Sequence, residues 1–480
     1  MASDPHHFDV IIVGAGLSGI GMAHHLQRLC PWASYEILEA RNAIGGTWDL
    51  FRYPGIRSDS DMHTLGYSFR PWSDPDAIAD GHKIRDYIEE TAVEAGIDRH
   101  IRFGTKVTHA AWSWETANWR VEAADGTVRT CRFLVLCSGY YSYDEANRPT
   151  WEGEEHFAGP IVEPQFWPED LDWSGKRVAV IGSGATAVTL VPAMAKEAAH
   201  VTMVQRSPSY VMARPARDKI AKALERILPF RTAAGLTRWK NVLLQQFFFG
   251  LARRRPAKVK AKLLELTEKE VGADQLRHFT PRYNPWDQRL CLAPDGDLFA
   301  AIRAGSASVA TGEIERFTPS GLRLTDGSEV PADIVVTATG LQVQLAGGAR
   351  LAVDGNPVRL GDMMAYKGLF FSNLPNFASI FGYTNASWTL KADLSAAFVC
   401  RVLNRMRRRG EAVVVPRRDP SITERPFLDF TSTYVRRALA DLPKQGDRGP
   451  WRLKQSYAAD LMNLRFGRLA DGVLEFRKAA

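Results

Sequence analysis

Residues 8–19 read FDVIIVGAGLSG and decide the fold of this chain: a strand-length apolar run leads into a turn with three glycines, Gly14, Gly16 and Gly19. An Ala- and Leu-rich segment then predicts a helix to about Leu29, and Tyr35–Glu39 predicts the next strand. Glycines at this spacing permit a tight turn and a close approach to a pyrophosphate, and the helix N-terminus around Ser18 offers N–H groups to that anion. Glu39 ends the second strand, where a carboxylate accepts hydrogen bonds from adenosine ribose hydroxyls. The segment predicts a Rossmann-like unit that binds an adenine dinucleotide.

A second segment of the same kind follows, with Gly182 placed 168 residues after Gly14. Arg177–Ile181 predicts a strand, a helix is expected to about Ala198, and the turn between them contains Gly182, Ser183, Gly184, Ala185 and Thr186. The next predicted strand, Val201–Val204, is followed by Arg206 and Ser207 instead of an acid. A carboxylate there would repel a 2′-phosphate, whereas a guanidinium binds it in two places and a hydroxyl adds a donor. The second unit is therefore predicted to bind NADP.

Two further apolar runs end in small residues, Phe133–Gly139 and Asp333–Gly340, and each predicts a strand that returns to one of the two units. The predicted fold class is α/β, with two Rossmann-like dinucleotide-binding domains and a helical insertion. Two different dinucleotides indicate a tightly held redox carrier and an exchanging hydride donor, for which FAD and NADPH are the natural pair. Disulfide reductases share this plan but need a redox pair of cysteines, and the chain has no C-x-x-C motif.

The composition is that of a globular protein, with 480 residues of which 45% are hydrophobic and 24% charged. Residues 1–9 lack the apolar run of a secretory signal, and no apolar stretch reaches the roughly 18 residues expected of a spanning helix. The five cysteines are an odd number without metal-ligand spacing, which favours a reducing compartment and argues against a disulfide framework or a zinc site. A cytoplasmic protein without a metal is expected.

The net charge of +7 is concentrated in one segment. Residues 214–262 contain 14 Lys and Arg against 2 acids, an excess of +12 that leaves about −5 for the rest of the chain. Apolar and basic residues alternate there at helical spacing, with breaks expected at Pro229, Gly235, Gly250 and Pro256. The segment is either a helical insertion with a solvated basic face or a peripheral contact with an anionic membrane, anchored by Trp239 and Phe247–Phe249. No nucleic-acid-binding motif accompanies it, so no nucleic-acid partner is expected.

Several further motifs resemble those of one family. Gly45-Gly46-Thr47-Trp48, Arg52-Tyr53-Pro54-Gly55 and Arg57-Ser58-Asp59 look like the flavin-side segment of class B flavoprotein monooxygenases, and within them of Baeyer–Villiger monooxygenases. Residues 287–291, DQRLC, resemble the family's active-site arginine segment. Residues 382–393 and 450–453 are most similar to the ethionamide-activating subgroup. The resemblance covers nearly the whole chain.

The resemblance implies a reaction in which NADPH reduces FAD and O₂ adds at flavin C4a. The resulting C4a-peroxyflavin inserts one oxygen atom into a ketone, or oxidises sulfur or nitrogen. By motif, Arg289 would stabilise the negative charge beside the flavin, Asp59 would hold Arg289, and both are expected at the catalytic site with Asp59 also near the cofactor. Gly46, Thr47 and Trp48 would contact FAD. Trp388 and Trp451 either line the substrate pocket or belong to the core.

One family fingerprint is altered in this chain. The linker pattern F-x-G-x-x-x-H-x-x-x-W-P is matched by Phe157, Gly159, Trp167 and Pro168, but Glu163 stands at the histidine position. A neutral histidine both donates and accepts hydrogen bonds, whereas an ionised glutamate only accepts them and adds a charge. Either the linker tolerates the glutamate, with a basic neighbour, or the exchange alters oxygen coupling or substrate choice.

The expected FAD domain comprises residues 1–141 and 341–480, and the expected NADP domain comprises residues 142–208 and 285–340. The basic helical insertion is expected at 209–284. The predicted function is NADPH- and O₂-dependent monooxygenation of a small molecule, by Baeyer–Villiger oxidation of a ketone or by S-oxidation. Two alternatives stay open: an N- or S-oxygenating flavin monooxygenase with little ketone activity, and an NADPH-binding flavoprotein that acts as a redox sensor. The substrate and the oligomeric state are left open.

Overall fold

The computed structural model describes residues 6–428 and 437–478 and contains two Rossmann-like sheets. In that part of the chain the larger sheet has nine strands. Eight of them lie in the order Asn356–Val358, Arg350–Val353, Val107–Ser113, Asn118–Ala123, Val128–Leu136, His7–Val13, Tyr35–Leu38 and Ile101–Arg102. Phe377–Ser379 pairs with the strand Val128–Leu136, which itself lies parallel to His7–Val13. The first predicted return strand therefore closes the first unit.

The smaller sheet is entirely parallel. Its five strands within the described residues lie in the order Ala307–Thr311, His200–Gln205, Arg177–Ile181, Ile334–Thr337 and Ile161–Val162. The strand Ile334–Thr337 pairs with Arg177–Ile181, so the second predicted return strand closes the second unit. The predicted α/β fold class with two Rossmann-like units is confirmed.

The core lies on both faces of each sheet because successive strand residues point to opposite sides. Val10 and Ile12 belong to one cluster of buried apolar side chains, and Ile11 belongs to the cluster on the other face. In the second unit Val178 and Ala179 are divided between two clusters in the same way. Both central strands are covered on both faces, which is why each reads as a continuous apolar run.

Shorter sheets connect and flank the two units. Their strands pair as follows: Tyr141–Ala146 with Leu341–Val343, Val211–Arg214 with Cys291–Pro294, Gly321–Leu324 with Ile314–Thr318 and Glu329–Pro331, Ala365–Tyr366 with Phe370–Phe371, Glu411–Pro416 with Leu474–Lys478, and Glu424–Pro426 with Lys444–Gly446. The first of these pairs is antiparallel and joins the two chain segments that run between the large sheets.

The α-helices of the described residues are α1 Leu17–Leu29, α2 Thr47–Leu50, α3 Met62–Leu65, α4 Gly81–Glu94, α5 Ala185–Met194, α6 Lys219–Ile227, α7 Phe230–Arg254, α8 Pro256–Val271, α9 Ala273–Leu276, α10 Asp297–Arg303, α11 Trp388–Arg409 and α12 Tyr457–Asp460. None of the helices in the described part of the chain has the length and apolarity needed to cross a membrane.

Of the four helix breaks predicted in the basic insertion, the two at prolines are right and the two at glycines are wrong. Pro229 and Pro256 stand at the starts of α7 and α8, where a missing N–H group is harmless. Gly235 and Gly250, in contrast, lie inside the 25-residue helix α7. A glycine inside a helix costs only about 1 kcal/mol, which the packing of so long a helix offsets. Helix α5 is also shorter than expected and ends at Met194.

Candidate functional site

A single cavity of about 900 Å³ connects the two nucleotide-binding units. Gly14 and Ser18 of the first motif line one side, and Ala185 and Thr186 at the start of α5 line another. The helical insertion supplies a further wall through α7 and α8. Two dinucleotide motifs that are far apart in the sequence therefore face a common space.

The first glycine turn is built for close approach of backbone atoms. Gly14 has φ +104°, and a Cβ atom there would lie 2.7 Å from the carbonyl oxygen of Cys137. A Cβ atom on Gly19 would lie 1.8 Å from the carbonyl oxygen of Gly14, so Gly19 allows α1 to pack on the turn and does not itself line the cavity. Gly16 does line the cavity and precedes α1, whose N-terminus has no side-chain cap. The first-turn N–H groups of α1 are thus available to an anion.

Glu39 is a buried carboxylate on the cavity wall. Its oxygens accept hydrogen bonds from the backbone N–H groups of Ala15, at 2.6 Å, and Arg41, at 2.8 Å. Burial raises the pKa of Glu39, and the two backbone donors oppose that rise. These contacts hold the carboxylate at the end of the second strand, where the motif places the ribose partner.

The flavin-side segment reaches the same cavity. Gly46, Thr47 and Trp48 all line it, and Gly46 has φ +57°. Trp388, the first residue of α11, also lines it, and its indole Nε1 donates a hydrogen bond to Ser18 Oγ at 2.7 Å. Ser18 is therefore buried behind Trp388 and anchors it to α1. Trp451 is buried against Tyr366 and is not among the lining residues, so of the two tryptophans only Trp388 belongs to the pocket.

Arg289 and Asp59 meet on the cavity wall. Arg289 Nη1 lies 2.7 Å from Asp59 Oδ2, and both side chains are partly exposed to the cavity. Arg57, two residues before Asp59, forms an ion pair with Asp297 and also lines the cavity. The arrangement presents a guanidinium held by a carboxylate, with Cys291 buried next to it. Burial raises the pKa of the Cys291 thiol to about 12, so this cysteine is not a nucleophile near neutral pH.

The second glycine turn has the same construction with an open outer side. Gly182 has φ +143°, and a Cβ atom there would lie 2.3 Å from the carbonyl oxygen of Ala338. A Cβ atom on Gly184, which precedes α5, would meet no atom within 4 Å among the described residues. Ser183 Oγ donates a hydrogen bond to the carbonyl oxygen of Ser207 at 3.0 Å. The turn and the end of the strand His200–Gln205 are thereby joined.

Arg206 follows that strand directly and is exposed. No ion-pair partner for Arg206 occurs among the residues that the structure describes. An exposed guanidinium beside an uncapped helix N-terminus is a suitable place for a phosphate group. Of the predicted second-motif residues, Ala185 and Thr186 line the cavity, whereas the glycines, Ser183, Arg206 and Ser207 lie outside its lining.

These features fit two adenine dinucleotides. The first turn combines a positive-φ glycine, uncapped N–H groups and an acid at the next strand, as FAD requires. The second turn combines the same geometry with Arg206 in place of the acid, as NADP requires. The space between the two turns is one cavity, so a flavin ring and a nicotinamide ring bound to them have room to meet.

The linker fingerprint lies outside the cavity lining, at the edge of the second sheet. A Cβ atom on Gly159 would lie 2.0 Å from the carbonyl oxygen of Asp333, and Phe157 packs edge to face on Phe317. Glu163 Oε1 lies 3.6 Å from Arg148 Nε, so the altered fingerprint position has a basic neighbour. Trp167 and Pro168, the last two fingerprint residues, follow the short 3₁₀ turn Pro164–Phe166. The ring of Trp167 packs edge to face on the ring of Trp173.

The residues that α7 and α8 contribute to the cavity were not predicted from the sequence. They are Asn241, Leu244, Gln245, Phe248, Val259 and Leu263. Asn241 and Gln245 both donate hydrogen bonds at 2.9 Å to Asp61, a fully buried carboxylate two residues after Asp59. The available signal was two amides spaced by four residues within the uncharged stretch 241–252 of α7, since that spacing places them on one helix face.

Comparisons with known proteins agree with this arrangement. The family model for flavin-binding monooxygenase-like proteins matches residues 9–408. The FAD-containing monooxygenase EthA of Mycobacterium tuberculosis H37Rv is 55% identical over 479 residues, which cover 98% of either chain. A steroid monooxygenase structure bound to NADP superposes with a TM-score of 0.72 and 25% identity, over 86% of this chain and 88% of that one. A cyclohexanone monooxygenase from Rhodococcus sp. Phi1 bound to NADP⁺ shows the same fold, with a TM-score of 0.76 and 20% identity over 99% and 100% of the two chains.

Proposed function

Because this chain belongs to the flavin-binding monooxygenase-like family and is an NADPH-dependent, FAD-containing monooxygenase, we propose that it transfers one oxygen atom of O₂ to a ketone or a sulfide in the cavity beside Arg289. In balance, substrate, O₂, NADPH and a proton yield oxygenated substrate, water and NADP⁺. The observation that carries the proposal is the Arg289–Asp59 pair, which lines the same cavity as residues of both dinucleotide motifs.

The proposed FAD site consists of the first glycine turn, Glu39 and the flavin-side segment. Gly14, Gly16 and the N-terminus of α1 would hold the pyrophosphate, and Glu39 would accept the ribose hydroxyls. Gly46, Thr47 and Trp48 would cover the inner part of the cofactor. Gly19 supports this site by letting α1 pack closely on the turn. The chemistry that bound FAD supplies is the reduction of O₂ with electrons from NADPH and delivery of one oxygen atom to the substrate.

The proposed NADP site consists of the second glycine turn, Arg206 and Ser207. Gly182 and Gly184 would let the pyrophosphate approach α5, while Ser183, Ala185 and Thr186 would offer N–H groups at its start. The Arg206 guanidinium would bind the 2′-phosphate, with the Ser207 hydroxyl as a second donor. Binding of FAD at the first motif and of NADP at the second would account for the acid, Glu39, at the end of one motif's second strand and for Arg206 at the end of the other's.

Arg289 is the proposed catalytic residue and Asp59 its positioning residue. A guanidinium beside the reacting atoms stabilises negative charge that develops on oxygen, and in a cavity that excludes water this effect is strong. The Asp59 carboxylate, 2.7 Å away, restrains the arginine and keeps its charge balanced while the site is empty of substrate. The largely apolar walls from Leu244, Phe248 and Trp388 would exclude water.

We also propose the domain division expected from the sequence, with the FAD domain at 1–141 and 341–480, the NADP domain at 142–208 and 285–340, and the insertion at 209–284. The strands Tyr141–Ala146 and Leu341–Val343 pair in antiparallel fashion. This pairing supports the division, because it joins the two segments in which the chain would pass from one domain to the other. Asn147 and Thr339 exchange hydrogen bonds at 3.0 and 2.7 Å and brace the same place.

The test of the proposed reaction is a product balance. NADPH-dependent O₂ uptake by the FAD-loaded protein is measured with a ketone and with a sulfide, together with product and H₂O₂. Ester or sulfoxide formed in proportion to NADPH consumed supports the proposal. Sulfoxide without ester identifies an S-oxygenating enzyme with little ketone activity. H₂O₂ as the sole product with all substrates would contradict oxygen transfer and favour a redox sensor.

We further propose a cytoplasmic enzyme that makes peripheral contact with an anionic membrane through the insertion. All five cysteines are buried and unpaired, as expected in a reducing compartment. Ten basic side chains of the insertion have no ion-pair partner in the described part of the chain: Lys219, Lys222, Arg226, Arg231, Arg254, Arg255, Lys258, Lys260, Arg277 and Arg282. Sedimentation with phosphatidylglycerol-containing vesicles but not with pure phosphatidylcholine vesicles is the expected result. Equal recovery with both would contradict the contact.

A further inference from the structure

We propose that the cavity opens on the membrane-contacting face of the insertion, between α7 and α8, so that apolar substrates enter it directly from the lipid bilayer. This inference rests on the proposed monooxygenase function and names the route by which its substrate arrives. It commits to one occupant of the exposed apolar surface, an anionic bilayer.

The apolar surface begins as a stripe along α7. Leu236, Trp239, Leu243 and Phe247 are spaced by three or four residues and so share one helix face. All four are exposed, Leu243 and Phe247 by 61% and 63%. A row of large apolar side chains on the outside of a helix is unusual unless a partner covers it. The outer stripe of α7 thus consists of Leu236, Trp239, Leu243 and Phe247.

The cavity wall adjoins the outer stripe on the same helix. Leu244 and Phe248 each follow a stripe residue by one position, which turns the side chain about 100° around the helix. Both line the cavity, yet they are 45% and 58% exposed. Asn241 and Gln245, further around the helix, are held on the buried Asp61. Leu244 and Phe248 therefore form the rim at which the stripe continues into the cavity.

Helix α8 completes this rim. Val259 and Leu263 line the cavity, and Leu266, seven residues after Val259 and on the same helix face, is exposed. The six cavity-lining residues that α7 and α8 supply include no charged side chain. An apolar molecule that enters between these helices would meet no charged side chain among these six, whereas a dinucleotide would lose its hydration there.

The outer stripe is extended by the C-terminal segment. The ring of Trp239 packs edge to face on Tyr457, with centroids 5.7 Å apart. Met462 and Phe466, within the following helical segment Leu461–Phe466, are both exposed. The same insertion carries ten basic side chains without an ion-pair partner in the described part of the chain, among them Arg231 and Arg254 at the two ends of α7. Exposed apolar side chains and basic side chains on one insertion match the acyl chains and headgroups of an anionic bilayer.

The first experiment tests the position of the rim without relying on catalysis. Because the five native cysteines are buried, a single introduced cysteine can be labelled with an environment-sensitive fluorophore. Leu244→Cys in the FAD-loaded protein is expected to give a blue-shifted, brighter emission on phosphatidylglycerol-containing vesicles. Phe103→Cys, of similar exposure at 40% but at the edge of the first sheet, is the control and should not change. An unchanged signal at position 244 would overturn the proposal.

The second experiment tests delivery. The double variant Leu243→Glu/Phe247→Glu alters the outer stripe but none of the cavity-lining residues. With a long-chain ketone dissolved in phosphatidylglycerol-containing vesicles, the variant is expected to lose at least about tenfold in rate. With a short water-soluble ketone it should match the unaltered enzyme. Equal rates on the vesicle-borne ketone, or equal losses on both ketones, would overturn the proposed route. Failure of the unaltered enzyme to oxygenate any ketone or sulfide would instead refute the proposed function, whatever the labelled variants show.

Discussion

Asn241 Nδ2 donates a hydrogen bond to Asp61 Oδ1 across 2.9 Å and so joins the helical insertion to the loop that carries Asp59. Asp61 is fully buried and also accepts hydrogen bonds from Gln245 and from the N–H and hydroxyl groups of Thr64. Arg238 adds hydrogen bonds to carbonyl oxygens at the end of α3. The insertion is thus attached to the first Rossmann-like unit by polar contacts next to the Arg289–Asp59 pair.

This attachment predicts that Asp61→Asn loosens the insertion. The asparagine amide has the size of the aspartate carboxylate, but one of its two acceptor oxygens is replaced by an NH₂ donor. The N–H and O–H groups that donate to that oxygen in the native protein would then lack an acceptor. A buried unpaired donor costs about 1–3 kcal/mol. We expect a lower thermal midpoint and faster proteolysis within residues 219–271. Asp274→Asn, at an exposed position, is the control, and the same behaviour in both variants would show that Asp61 does not hold the insertion.

Arg289→Ala is expected to abolish oxygen transfer while FAD stays bound. Removing one group that stabilises developing negative charge lowers kcat by about 10²–10³-fold. NADPH oxidation should then yield H₂O₂ in place of ester or sulfoxide. Product analysis and the flavin absorbance of the purified variant check both parts. Arg282→Ala, at an exposed position, should behave as the unaltered enzyme. Near-normal ester formation by Arg289→Ala would refute its assigned role.

Arg206→Ala is expected to raise the KM for NADPH and to leave the KM for NADH nearly unchanged. Hydrogen bonds to a charged group contribute about 1.5–3 kcal/mol, which corresponds to roughly 10–100-fold in KM. Arg206→Lys keeps the charge but loses the planar fork, so its effect should be intermediate. Steady-state rates with both cofactors measure this difference. An equal effect on NADPH and NADH would show that Arg206 does not bind the 2′-phosphate.

Glu163→His is expected to change the ratio of NADPH consumed to product formed. The glutamate lies 3.6 Å from Arg148 across a partly exposed ion pair, which contributes at most about 1 kcal/mol, so global stability should hardly move. If the ion pair carries the effect, Arg148→Ala should shift the ratio in the same direction. The ratio is measured with several substrates. The same ratio in all variants would mean that the linker simply tolerates glutamate.

The native protein is expected to show no fast-reacting thiol. Cys30, Cys131, Cys137, Cys291 and Cys400 are all buried, which denies a reagent access to them, and burial also raises the pKa of Cys131, Cys137 and Cys291. Thiolate is the reactive form, so a colorimetric disulfide reagent should react slowly with the folded chain and with all five thiols after denaturation. A rapid reaction of one native thiol would reopen a thiol-based redox function.

Much of the fold could be predicted because its signals are local. The apolar run Val10–Val13, the glycine turn and the following helix specify a strand, a turn and a helix within about 20 residues. The same holds for Arg177–Ile181 and its turn. Within the insertion the proline breaks were right, since proline lacks the N–H group wherever it stands, but the breaks at Gly235 and Gly250 were wrong. A glycine ends a helix only when packing does not hold it.

The site itself was predictable residue by residue but not as an arrangement. Motifs named Arg289 and Asp59, which are 230 positions apart, and only the fold brings their side chains to 2.7 Å. The sequence offered the same two interpretations for Trp388 and Trp451, a pocket residue or a core residue. In the structure Trp388 lines the cavity and Trp451 is in the core. The contribution of α7 to the cavity, through Leu244 and Phe248, had no motif at all.

The sequence by itself determined the two Rossmann-like units and the basic character of the insertion, and it predicts FAD for the first unit and NADP for the second, because each depends on residue types at short spacing. Only the tertiary structure decided that both turns open into one cavity, that Asp61 joins the insertion to the loop of Asp59, and that the rim at Leu244 and Phe248 meets the outer stripe. The physical reason is that these relations arise from packing between elements far apart in the chain. The spacing of residues along one element does not determine which other element packs against it.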